Sequence, residues 1–90
     1  MWELRLSTRF KKDLKRYQKQ PAKIAALKAV LRQLMEQGTV DASLKPHMLS
    51  GEFKGCMECH IQNDFLLIWI DEAKQIISLV RLGSHSELFK

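Results

Sequence analysis

Several things are missing from this chain, and each absence narrows what it can do. No apolar run approaches the length that a bilayer crossing needs. The opening Met1-Trp2-Glu3-Leu4-Arg5 alternates and carries charge, without the apolar block of a secretory leader. The expected compartment is therefore the cytoplasm, with no membrane partner. Internal repeats and low-complexity stretches are absent. Acids are scarce early on: from Met1 to Lys54 five Asp and Glu stand against twelve Lys and Arg, whereas Gly55 to Lys90 holds five against three. Cysteine is limited to Cys56 and Cys59, and an intramolecular disulfide is not expected in a cytosolic protein.

What is present suits one small folded unit. Hydrophobic residues make up 46% of the 90 residues, enough for a modest core, so a single domain over residues 1–90 is expected. The net charge of +5, concentrated in the first part, points to a polyanionic partner, with nucleic acid first. A lysine-rich, merely solvated helix face is the competing reading.

Periodicity divides the chain. Residues 2–7 read as a strand, with Trp2, Leu4 and Leu6 alternating against Glu3, Arg5 and Ser7. Ser7 or Thr8 can cap a helix whose apolar face is Phe10, Leu14 and Tyr17. Pro21 ends it and opens a second helix to about Gln37, with Ile24, Leu27, Val30, Leu31, Leu34 and Met35 inward and Gly38 as terminator. Residues 38–51 read as loop. Strands are predicted over about 52–61, 65–71 and 76–82, joined by short polar turns as an antiparallel meander. The tail from Gly83 to Lys90 reads as a final helical turn capped by Ser84. The expected fold is α+β: an N-terminal strand and a two-helix hairpin packed on one face of a mostly antiparallel four-stranded sheet, with a short C-terminal helical turn.

Cys56-Met57-Glu58-Cys59-His60 matches C-x-x-C-H, the pattern of covalent haem attachment. In a strand, however, Cys56 and Cys59 point to opposite faces, which suits neither two thioethers to one haem nor a thioredoxin-type pair at a helix start. A zinc site lacks its second ligand pair. The preferred reading is a small buried Cys59 and an incidental Cys56, with no metal and no cofactor. The same alternation places Lys54, Cys56, Glu58 and His60 on one face. Phe53, Gly55, Met57, Cys59 and Ile61 lie on the other, against the helices. Glu58 and His60 then look out side by side from a free sheet face, where Asp64 could reach back toward His60.

All three histidines, His47, His60 and His85, fall in the second half, close to Glu58, Asp64 and Arg81. Imidazole exchanges protons near neutrality. Cleavage of RNA by its own 2′-hydroxyl needs two such groups and one cation for the developing phosphorane charge. Histidines fit both proton roles, Arg81 fits the third, and Phe89 could stack on a base.

The stretch His47-Met48-Leu49-Ser50-Gly51-Glu52-Phe53-Lys54-Gly55 resembles the H-x-L-x-G-x-(aromatic)-K-G segment of the YafQ-like branch of the RelE/ParE toxin superfamily. Glu58-x-His60, Asp64 to Trp69, and the ending Arg81-Leu82-Gly83-Ser84-His85-Ser86-Glu87-Leu88-Phe89 match in order, the last resembling R-x-G-(S/T)-H-x-x-L-F. The resemblance implies the toxin of a type II toxin–antitoxin pair, a ribosome-dependent mRNA endonuclease that cuts in the A site without a metal. It implies active-site roles for His47, His60, Asp64, Arg81 and His85. Glu58 stands where the best-known member has Asp, and Phe65 where it has Trp. His85 is favoured as general acid; His47 or His60, oriented by Glu58 or Asp64, is the base or supports it. Lys54, Phe65 and Phe89 are expected to contact RNA. Lys11, Lys12, Lys15 and Arg16 either grip ribosomal RNA or serve solubility. The implied partners are the ribosome, mRNA and a cognate antitoxin, of the ribbon-helix-helix type, through which operator DNA is bound. The alternative is a ParE-like toxin that inhibits DNA gyrase by binding, without nuclease activity.

Overall fold

Ser7 decides where the first strand stops. In a computed structural model that describes residues 1–89, its side chain accepts from the Phe10 amide and caps the first helix. Lys90, the last residue of the expected tail segment, lies outside the described residues. Before the cap runs β1 (Glu3–Leu6), and after it α1 (Thr8–Lys15). A turn leads into α2 (Pro21–Gln37), which begins on its proline and ends at Gly38. Gly38 has a φ of 73°, and a Cβ there would stand 2.5 Å from the Trp2 ring, so only glycine suits the position.

The sheet has five strands where four were expected. To β1 are added β2 (His47–Met48), β3 (Met57–Gln62), β4 (Phe65–Asp71) and β5 (Ile76–Gly83), in the spatial order β1-β5-β4-β3-β2. The extra strand, β2, is two residues long and lies inside the segment read as loop. Two residues carry no periodicity to read. The last three strands form the expected antiparallel meander, and β1 joins β5 in parallel. The strand predicted from residue 52 starts only at Met57. Gly51–Phe53 forms a 3-10 turn, and Gly55 takes a φ of 91° that breaks an extended run. A four-residue helix, α3 (His85–Leu88), closes the chain. Ser84 caps it and Glu87 reaches back, a capping box with both bonds made.

Both helices pack on one face of the sheet. Phe10, Tyr17, Leu27, Val30 and Leu34 meet Cys59, Phe65, Leu67, Trp69, Ile77, Leu79 and Leu82. The opposite face is not free, as alternation alone suggested. Phe53, Cys56, Leu66, Ile68 and Leu88 form a second apolar cluster there, covered by the 3-10 turn and α3. Phe53, assigned to the helix side, belongs to this second cluster because the chain around it is not extended.

Two local devices set the far end of β5. Ile68 pairs with Arg81 and Trp69 with Leu79, so Val80 is an unopposed bulge residue. The bulge keeps Leu82 on the helix side and sends Arg81 to the face of Ile68. Beyond Leu6, moreover, β5 has no strand neighbour on that edge. Ser7 takes it instead: its amide donates to the Leu79 carbonyl and its hydroxyl to that of Val80. Asp13 accepts from the Leu82 amide, so the buried edge keeps its hydrogen bonds.

Candidate active site

Register brings the first pair together. His47 stands opposite Glu58, and its Nε2 lies 3.1 Å from Glu58 Oε1. Its Nδ1 lies 2.9 Å from the Lys45 carbonyl, which can only accept, so Nδ1 carries a hydrogen. Glu58 does not look out beside His60 as expected. Its side chain is 3% exposed, and Oε2 is buried with no hydrogen-bond partner among the described residues. The carboxylate orients His47, not His60.

His60 occupies the middle of a row. Its ring centroid lies 6.2 Å from that of His47 and 6.5 Å from that of His85. Asp64, in the turn between β3 and β4, does not reach back to His60. Its Oδ1 accepts from the His85 backbone amide at 2.8 Å and stands 3.7 Å from His85 Nδ1. The turn geometry, with Asp64 at a φ of 49°, aims the carboxylate at the start of α3. Phe89 extends the row: its ring lies 5.4 Å from His85 and packs edge-on against Phe53 at 5.7 Å. Each outer histidine thus has its own carboxylate, and among the described residues the middle one has none.

Arg81 is held from α1. It is 7% exposed and held by Asp13 of α1, with Nε to Oδ2 at 2.7 Å and Nη2 to Oδ1 at 3.1 Å. The carboxylate raises the guanidinium pKa further. Arg81 borders a polar cavity of about 210 Å³ with Arg9, Arg16, Glu52, Glu87 and Leu88.

The profile of the YafQ family, bacterial toxins of type II toxin–antitoxin systems, matches residues 2–90. The chain belongs to that family.

Its relatives cover it end to end. The mRNA interferase toxin YafQ of Escherichia coli K12 is 28% identical over 88 residues, 97% of this chain and 95% of that protein. A metal-bound toxin from Helicobacter pylori superposes with a TM-score of 0.84 at 37% identity, covering 99% of this chain and all of that one. YafQ in the E. coli DinJ–YafQ complex gives 0.85 at 27%, with both chains fully covered.

Within this YafQ-type site, one assignment is overturned. Phe65 was expected to contact RNA, but its ring is fully buried, packed on Tyr17 at 4.8 Å. The strand period that puts Phe65 with Leu67 and Trp69 explains why: all three point at the helices. Lys54, Lys11, Lys12 and Lys15 are exposed, and Arg16 lies 3.5 Å from Glu87. The two thiols lie in different clusters, as alternation required. Burial pushes Cys59 up to about 12 and raises Cys56 as well, so neither is a ready nucleophile. Cys56, read as incidental, is in fact buried. No group of three His, Cys, Asp or Glu side chains among the described residues is placed to hold a metal ion.

Sequence reasoning passed over Asp13 and Glu87. Asp13 had a signal: it is the sole acid between Glu3 and Glu36, and it sits with Phe10 and Tyr17 on the inward face of a lysine-rich helix. Glu87 was visible as the third residue after Ser84, the spacing of a capping box.

Proposed function

We propose that this toxin is an endoribonuclease that cuts mRNA in the ribosomal A site by attack of the RNA's own 2′-hydroxyl. The observation that carries the reading is the row of three imidazoles with a carboxylate on each outer member. Ring separations of 6.2 and 6.5 Å are too long for hydrogen bonds between the rings, and they leave room for a reacting group between neighbours.

A histidine in this row takes the 2′ proton. The freed oxygen attacks phosphorus, the bond to the 5′ oxygen breaks, and a second histidine protonates that oxygen. The products are a 2′,3′-cyclic phosphate and a 5′-hydroxyl. His85, with its ring 62% exposed at the start of α3, is the favoured acid. His60 or His47 is the base. Arg81 keeps Nη1 clear of Asp13 and so can still meet charge on phosphorus. Phe89, partly exposed beside His85, offers a ring to a base, and Lys54 offers a cation to the strand. E. coli YafQ is known in complex with DinJ, and this chain's partner is taken to be an antitoxin of its own that covers the site and carries the complex to operator DNA.

Inducible expression with primer extension on a reporter mRNA tests the reading. Discrete, translation-dependent cuts are expected, and they should vanish in His85→Ala and His85→Gln. Retained cleavage in either variant sinks the assignment of His85.

A further inference from the structure

Resting on that nuclease reading, we propose that α1 and the turn after it supply two positioning residues to the site: Asp13 sets Arg81, and Tyr17, through Glu87, sets His85. Every group given a chemical role lies between His47 and Phe89, and α1 lies far before them in sequence. Yet Asp13 near the end of α1, and Arg16 and Tyr17 in the turn that follows it, all meet the segment from Arg81 to Glu87.

Asp13 does more than seal the open edge of β5. The Leu82 amide would be satisfied by any short acceptor, at 3.0 Å. The fork on Arg81 is a separate demand. By occupying Nε at 2.7 Å and one hydrogen of Nη2 at 3.1 Å, the carboxylate fixes the plane of the guanidinium and leaves Nη1 directed elsewhere. A buried arginine without that fork would keep its charge and lose its direction.

Tyr17 acts at one remove. α3 has four residues, too few to hold its own orientation. It is pinned from one side by Asp64, on the His85 amide. On the other side, Glu87 Oε1 accepts from the Ser84 amide at 2.8 Å and from the Tyr17 hydroxyl, while Arg16 lies 3.5 Å from Oε2. Burial and the neighbouring Glu87 raise the Tyr17 pKa, which keeps the hydroxyl a donor. The imidazole of His85, at the first position of that helix, inherits its placement from both pins.

The test is single-turnover mRNA cleavage on programmed ribosomes with the full chain, varying toxin concentration. Tyr17→Phe keeps the ring against Phe65 and removes only the hydroxyl. Its maximal rate should fall about 10- to 100-fold, the scale of a small misplacement, with the half-saturating concentration unchanged. Asp13→Asn should show the same split; an Asp13→Asn protein that does not fold assigns Asp13 to the fold and overturns its part of the proposal, while Tyr17→Phe still decides the route to His85. A purely structural role would reduce folded protein, raising the half-saturating concentration at an unchanged maximal rate, and that result overturns the proposal. So does a Tyr17→Phe protein equal to wild type in both quantities. In a Glu87→Ala background, Tyr17→Phe should cost nothing more; an additive loss breaks the proposed route. Wild-type protein that leaves mRNA intact overturns the nuclease reading and this proposal with it. Wild-type cleavage matched by Tyr17→Phe overturns this proposal alone.

Discussion

Asp64 holds His85 by the backbone rather than by the ring: its Oδ1 accepts the His85 amide hydrogen at 2.8 Å, and the imidazole Nδ1 is farther, at 3.7 Å. Both side chains are largely exposed, so a charge pair between them contributes little, and the amide bond is the effective contact. Asp64→Asn keeps an acceptor oxygen and tolerates the left-handed backbone; it should fold normally and retain most cleavage. Asp64→Ala keeps neither advantage. It should lose about 1–3 kcal/mol of stability in urea unfolding and at least tenfold in cleavage rate. Equal rates for the two variants would return the ion pair to first place.

Glu58 places function against stability. One of its oxygens serves His47, and the other is buried without a partner among the described residues. A buried polar atom left unpaired costs about 1–3 kcal/mol. His47, 47% exposed, can meet water if the carboxylate is removed. Glu58→Met should therefore match or exceed the wild type in urea unfolding while losing most cleavage. A clearly less stable Glu58→Met protein would mean that the carboxylate supports the fold.

The acid limb of stability should depend on Glu87. Hydrogen bonds from Tyr17 and the Ser84 amide hold its carboxyl below the ordinary glutamate value of 4.5. The folded form therefore binds fewer protons than the unfolded one. The stability this contributes is present above about pH 4.5 and lost as pH falls through the depressed folded value. Glu87→Gln should flatten the decline below pH 4.5 in a pH series of thermal unfolding midpoints, with little change in its slope near neutrality. An unchanged acid limb would remove Glu87 from the account.

The basic face of α1 can be tested without disturbing the site. Arg16 is left in place, because it pairs with Glu87. Replacing Lys11, Lys12 and Lys15 with Gln should weaken ribosome binding and reduce the slope of log affinity against log salt by about 0.7 to 0.9 for each phosphate no longer neutralised. An unchanged slope assigns these lysines to solubility.

Local signals carried most of this architecture. Ser7, Gly38 and Ser84 marked helix ends because each bonds or bends within a few residues of itself. Alternation separated Cys56 from Cys59 and put Glu58 and His60 on the face away from the helices. It failed where the extended chain failed, between Gly51 and Gly55, and Phe53 was misplaced as a result. The partners of the site were harder to read. His47 meets Glu58 through a strand of two residues, and Arg81 meets Asp13 across the length of the chain; neither leaves a period in the sequence. Phe65 was misassigned by its place in a motif, although the strand period that sets it with Leu67 and Trp69 already buried it.

The bulge at Val80 has a genetic consequence. Losing that one codon would remove only the residue that β4 leaves unopposed: Leu79 would still meet Trp69, Arg81 would still meet Ile68, and Leu82 would stay on the helix side. Val80 is thus the spare codon of the strand, and a three-nucleotide deletion there should leave the protein armed. Cells that escape its action should carry changes at His85, and a loss of Val80 alone should not be among them.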